Sequence, residues 1–150
     1  MYKIIIFEGP DCSGKSTIKS ALEKHTNYKH LCVDRMFITS LVYNKIINRN
    51  KDIEHDILGD LNEFANLKPI FIHVITDSDT IWNRINRRGD DMLTTEELVI
   101  KICAEYKRVF KSLEDSIDII EVFGNEPVLK SVERIVDGIR KRYKGDETRR

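Results

Sequence analysis

Cysteine is scarce in this chain of 150 residues: Cys12, Cys32 and Cys103 are odd in number, widely spaced and never paired as CxxC. That excludes a disulfide framework and a zinc cage, and free thiols are expected. Net charge is also missing, because 25 Lys and Arg cancel 25 Asp and Glu. No overall positive field draws in long nucleic acid or an anionic membrane surface, so any anion site must be local. Long apolar runs are absent as well. Ile4 to Phe7, the longest near the start, falls far short of a signal peptide or a membrane span, and a cytoplasmic location is expected. His25, His30, His55 and His73 are scattered without metal-ligand spacing and are expected at the surface or packed inside. No repeat or low-complexity stretch interrupts the chain.

What is present is a globular balance, 41% hydrophobic and 33% charged, in a length that suits one domain, residues 1–150. Lys3 to Phe7 is β-branched, apolar after Lys3 and followed closely by Gly9, as a strand buried on both faces reads. A helix from about Lys15 to His25 carries Ile18, Ala21 and Leu22 on one stripe. His30 to Val33 predicts a second strand that runs into Asp34, and Met36 to about Asn48 predicts a helix. A third helix, Asp52 to Asn66, turns Ile53, Ile57, Leu61 and Phe64 inward, with Gly59 as a candidate break.

Ile70 to Ile75 predicts a strand behind Pro69, and Asp77 to Arg88 a helix with Ile81 and Ile85 inward. Thr94-Thr95-Glu96-Glu97 reads as a capping box before a long helix striped by Leu98, Ile102, Tyr106, Val109 and Leu113. Ile117 to Phe123 is a last strand. Pro127 opens a last helix ahead of a polar, mobile tail from Lys144 to Arg150. Strands that alternate with helices imply a parallel sheet covered on both faces.

Gly9-Pro10-Asp11-Cys12-Ser13-Gly14-Lys15-Ser16 fits the phosphate-loop pattern GxxxxGK[ST], between a buried strand and a helix. That context lets backbone N–H groups and the helix N-terminus converge on phosphate oxygens. Lys15 then reaches the β- and γ-phosphates of ATP, and the Ser16 hydroxyl ligates Mg²⁺. The fold class follows: an α/β three-layer P-loop NTPase fold with a short parallel sheet of about four or five strands flanked by helices. Gly9, Asp11, Cys12, Ser13, Gly14, Lys15, Ser16 and Thr17 are the expected ATP-binding loop. Cys12 is either a reactive thiol or a small loop filler, and Glu8 either orients the loop or a metal-bound water, or caps the strand end.

Asp34 and Arg35 stand at a strand's C-terminal end, the edge where open α/β sheets bind ligands. From there Asp34 can orient the hydrated Mg²⁺ and Arg35 can hold a second phosphate by a bidentate fork. Arg35, Thr39 and Tyr43 recur every four residues and are expected to line one pocket. Arg84, Arg87 and Arg88 share a helix face, where they could neutralise charge on a transferring phosphate.

With these residues in view, the chain resembles the thymidylate kinase family of P-loop nucleoside monophosphate kinases, including the compact forms that bacteriophages encode. The likeness runs from Glu8-Gly9-Pro10-Asp11 to Gly14-Lys15-Ser16-Thr17, and without gaps through Asp34-Arg35, Thr39, Tyr43 and Asn44. It implies that Asp11 reaches the acceptor sugar, that Arg35 binds the acceptor phosphate and that Tyr43 crowds the sugar's 2′ position. Arg84 and Arg88-Gly89 are similar to the start of that family's lid, here residues 84–95, with Gly89-Asp90-Asp91 as hinge. Phe123 to Pro127 lies where the family's last loop passes the adenine, and the resemblance also implies a homodimer.

Relatives of ordinary length carry an extra block that reads thymine, whereas only Thr26 to Val33 fills that interval here. Phe37, Phe64 and Trp82 are expected in the core rather than as its replacement. The activity so implied is transfer of the γ-phosphate of ATP to dTMP or a related pyrimidine deoxynucleoside monophosphate. Two alternatives stay open: a kinase for the hydroxyl of a deoxynucleoside or polynucleotide, and a non-catalytic nucleotide-binding subunit.

Overall fold

The computed structural model describes residues 2–89 and 93–147. Asp90 and Asp91 of the expected hinge, and residues 148–150 of the tail, lie outside the described residues. Within them the order is β1 (Ile4–Glu8), α1 (Lys15–His25), β2 (Leu31–Asp34), α2 (Phe37–Tyr43), a π-helical turn (Asn44–Asn48), α3 (Lys51–Ala65), β3 (Ile70–Ile75), α4 (Ser78–Arg88), α5 (Glu96–Leu113), β4 (Asp118–Phe123) and α6 (Val128–Glu147). The sheet has four strands in the order β2-β1-β3-β4, every pair parallel, with Ile5 opposite both Cys32 and Ile70 and Ile70 opposite Asp118.

Strand alternation sorts the core into two layers. Ile5 and Phe7 of β1, Ile70, Ile72 and Val74 of β3, and Ile120 and Val122 of β4 pack on Ile18 and Leu22 of α1 and on Val132, Ile135 and Ile139 of α6. On the other face Ile6 and Phe71 meet Ile38, Leu41 and Val42 of α2, Leu61 of α3, Ile81 and Ile85 of α4, and Ile102 and Tyr106 of α5. Each such side chain contributes roughly 1.5–3 kcal/mol by leaving water. Phe37 and Phe64 pair with ring centroids 5.3 Å apart, and with Trp82 they pack against this second cluster. They are half-buried at the edge of the core rather than within it. Among the described residues no helix is long and apolar enough to cross a membrane.

Five local expectations need correction. The helix expected over Met36 to Asn48 changes character at Asn44, where a π turn begins and ends on Arg49 in the left-handed region. Buried Asn44 donates its side-chain amide to the Asn50 carbonyl at 2.8 Å, which ties the widened turn to the start of α3. Gly59 breaks nothing: α3 runs through it on an exposed face, where a Cβ would meet no neighbour. Ile53 of the same helix is exposed rather than inward. Thr95, not Thr94, caps α5 by accepting the Leu98 N–H at 3.2 Å, which leaves Glu97 out of register to close a box. The tail from Lys144 continues α6 as far as Glu147.

Because all strands run one way, Glu8, Asp34, Ile75 and Phe123 end at one edge, and the loops that follow them gather there. Beneath, on the α5 side, His73 of β3 is only 3% exposed and stacks on Phe110 with centroids 4.2 Å apart. Burial, aided by Lys107, lowers its pKa from 6.5 to about 4. Between those values the unfolded chain binds more protons, so stability is lost as pH falls from about 6.5 towards 4. Urea midpoints should reveal a loss of about 2 kcal/mol between pH 7 and pH 5 that His73→Phe, which keeps the stacked ring, removes. An equal loss in the variant would contradict this origin.

Candidate functional site

A cavity of about 620 Å³ opens at this edge, lined by Asp11 to Ile18, Arg35, Arg84, Arg88, Gly89 and Gly124 to Val128. Four cationic side chains, Lys15, Arg35, Arg84 and Arg88, face it with the carboxylates of Asp11 and Glu126. The floor is the loop between β1 and α1. Gly14, at φ 96°, is the N-cap residue of α1 and makes no side-chain cap, so the N-terminal amides of the helix turn towards the cavity. Thr76 fixes the loop from below by donating its hydroxyl to the Ser13 carbonyl at 2.7 Å. Gly124 lies against it from the side, where any Cβ would overlap that same carbonyl, so only glycine lets the two segments come this close. Sequence reading assigned no part to Thr76, whose only signal was its place just past a strand end.

Each cation that faces the cavity is held by an oxygen or sulfur of the loop itself. Lys15 is 4% exposed and donates its Nζ to the Pro10 carbonyl at 3.0 Å. Its pKa is lowered by burial, against the opposing pull of Asp34 and Glu8. Arg84 donates Nη1 to the Cys12 carbonyl at 3.0 Å and Nη2 to the Gly124 carbonyl at 3.1 Å. Arg88 places Nη1 3.9 Å from Cys12 Sγ. Arg35 pairs with the Asp11 carboxylate, which the Tyr43 hydroxyl also approaches at 3.5 Å. Arg87 points to solvent and does not line the cavity.

Thr39 turns away from this group. Arg35 precedes α2 and sits at φ 63°, so the every-fourth-residue stripe does not extend from the helix back to it. Thr39 instead bonds Glu8 at 2.5 Å through its hydroxyl, which also lies 2.8 Å from the Tyr106 hydroxyl. Glu8 is fully buried. It accepts from the N–H groups of Met36 (2.7 Å), Ile38 (3.3 Å) and Thr39 (3.0 Å), so it caps the first turn of α2 rather than the strand end. Burial raises its pKa while these donors pull it down. Tyr106 had been legible only as one more apolar position on the α5 stripe, and desolvation keeps its phenol well above the ordinary range.

Ser16 and Asp34 come together on the exposed side, with the hydroxyl donating to Oδ2 at 3.1 Å. No group of three or more His, Cys, Asp or Glu side chains able to hold a metal occurs among the described residues. One hydroxyl and one carboxylate suit a hard cation that arrives with phosphate oxygens and water as its remaining ligands.

No protein-family model matches the chain, and no curated protein sequence matches it. Solved structures do. The YorR protein of Bacillus subtilis, in complex with phosphorylated GDP, superposes with a TM-score of 0.75 at 19% identity over 95% of this chain and 98% of its own. The deoxyadenosine kinase of M. mycoides with bound dCTP gives 0.70 at 15% identity over 94% and 100%, and with bound dATP 0.66 at 16% over 93% and 100%. The chain shares with these proteins its α/β fold, a parallel sheet flanked by helices. Here it is built on a sheet of four strands.

Arg84, fixed on two carbonyls beside the loop, and solvent-directed Arg87 make a matched pair for testing which cations serve the cavity. Arg84→Ala should weaken ATP binding, measured by calorimetry, about tenfold or more, as loss of charged hydrogen bonds does, and Arg87→Ala less than about twofold. Equal effects would contradict the assignment of Arg84 to the cavity.

Proposed function

We propose that this chain, as a single domain, transfers the γ-phosphate of ATP to a deoxynucleoside monophosphate, with dTMP or a pyrimidine relative as the preferred acceptor. The observation that carries this reading is the pairing of Arg35 with Asp11 across the mouth of the cavity that holds Lys15, Arg84 and Arg88. It sets a guanidinium from the β2–α2 corner within reach of the donor cradle, as a second phosphate facing the first requires.

The roles then follow from position. The loop amides and Lys15 take the donor's β- and γ-phosphates, and Lys15 exchanges the Pro10 carbonyl for a phosphate oxygen. Ser16 and Asp34 would hold the Mg²⁺ that accompanies ATP, an ion that neutralises charge on the β- and γ-phosphate oxygens. Arg35 takes the acceptor phosphate by a fork once Asp11 releases it, and Asp11 with Tyr43 then faces the acceptor sugar. Arg84 and Arg88 begin a small lid over residues 84–95 and counter charge on the moving phosphoryl group. Gly124 to Pro127 flanks the donor's base. An acceptor phosphate supplies its own nucleophilic oxygen, so no general base is needed. The thymidylate kinase resemblance adds a homodimer and a cytoplasmic, phage-type setting to this proposal.

A second reading, a kinase for the hydroxyl of a deoxynucleoside or polynucleotide, is supported by the structural likeness to a deoxyadenosine kinase and by Asp11 and Asp34, either of which could serve as the base. ADP release with a panel of deoxynucleoside monophosphates, deoxynucleosides and 5′-hydroxyl DNA separates the readings. Turnover is expected on a pyrimidine monophosphate and a fall of at least about a hundredfold in Lys15→Met. Turnover confined to nucleosides or DNA ends would overturn the acceptor assignment, and none at all would favour a binding subunit.

A further inference from the structure

Glu8 is the only acidic side chain that is buried among the described residues, and taking a carboxylate out of water costs several kcal/mol unless donors surround it. The donors it gathers lie on one short segment. They are the N–H groups of Met36, Ile38 and Thr39 and the Thr39 hydroxyl, 28 to 31 residues away in sequence. This segment begins directly after Arg35. The Arg35 N–H is itself tied to the Phe7 carbonyl at 2.9 Å, and its φ of 63° is a conformation that costs a non-glycine residue about 1–2 kcal/mol. Residues 7 and 8 of β1 therefore grip the backbone on both sides of the Arg35 Cα. Together they set the direction in which its guanidinium leaves the corner.

The grip extends one step further. The Thr39 hydroxyl has one hydrogen, which goes to the Glu8 carboxylate, so Tyr106 must donate to the Thr39 oxygen. That bond reaches α5, the helix that follows residues 84–95.

We propose that Glu8 is a positioning residue for the acceptor site: by capping residues 36–39 as a carboxylate and anchoring to Tyr106 through Thr39, it holds Arg35 in the orientation that receives the acceptor phosphate. The inference rests on the reading of Arg35 given under Proposed function. A glutamine at position 8 would keep the volume and one acceptor oxygen but would turn an NH₂ group towards N–H or O–H donors. The corner loosens. The loop that binds ATP keeps its own anchor, the Thr76 hydroxyl.

The test is calorimetric titration of dTMP and of ATP, separately, into the wild type, Glu8→Gln, Thr39→Val, Arg35→Ala and the Glu8→Gln/Arg35→Ala double variant. Glu8→Gln should weaken dTMP by about tenfold or more and ATP by less than about threefold. The double variant should lose little beyond Arg35→Ala alone, since both act on one contact. Equal weakening of both ligands by Glu8→Gln, or a double variant that loses the product of the two effects, would overturn the inference and leave Glu8 a structural cap. If Arg35→Ala weakens dTMP but Glu8→Gln does not, the inference falls while the acceptor assignment stands. If Arg35→Ala leaves dTMP binding intact, or the wild type does not bind dTMP, the acceptor assignment falls and takes the inference with it. Should Glu8→Gln fail to fold, Thr39→Val decides: selective loss of dTMP affinity, about threefold to tenfold, supports the grip, and an equal loss for both ligands or none overturns it.

Discussion

The cavity depends on a backbone corner at residue 35. A chain that turns away from the sheet edge leaves amides to satisfy, and here the Phe7 carbonyl accepts from the Arg35 N–H while the Glu8 carboxylate accepts from those of Met36, Ile38 and Thr39. The chain must turn sharply between β2 and α2, and the left-handed conformation of Arg35 makes that turn. The consequence is chemical. A guanidinium set by the corner faces a glycine-rich loop that the Thr76 hydroxyl anchors.

Four cations that line one cleft would be costly if they faced one another without acceptors. Instead each takes an oxygen or sulfur of the loop, Pro10 for Lys15, Cys12 for Arg84, Cys12 Sγ for Arg88 and Asp11 for Arg35, and Arg84 adds the Gly124 carbonyl after β4. Phosphate oxygens can replace these partners one for one, so binding exchanges hydrogen bonds rather than creating them in water.

Much of this was legible in the sequence, and for identifiable reasons. Periodicity placed α1 and β3 at their observed bounds because their apolar residues face one layer or two without interruption. The phosphate loop was legible because its chemistry demands a fixed spacing of glycine, lysine and serine. What escaped was set by tertiary bonds. The stripe through Arg35, Thr39 and Tyr43 assumed a helix that reaches back to Arg35, two residues before α2 begins, and the capping box assumed the wrong threonine. The π turn at Asn44 comes from a side chain that reaches Asn50, which no apolar pattern records. Glu8 and Tyr106 show the same limit from the other side: one looked like a strand end and the other like core, and only the fold brings them together through Thr39.

The central claim is that two anion sites share one cavity, one on the phosphate loop and one at Arg35. A single molecule that carries adenosine and thymidine on the two ends of a five-phosphate chain should occupy both at once. Calorimetry of that compound is the most direct measurement, because linking two sites raises affinity by orders of magnitude only when both can be reached together. The account predicts one molecule bound per chain, at least about a hundredfold tighter than ATP or dTMP alone, with the gain lost in Lys15→Met and in Arg35→Ala alike. Binding no tighter than ATP, or a gain that survives Arg35→Ala, would contradict it.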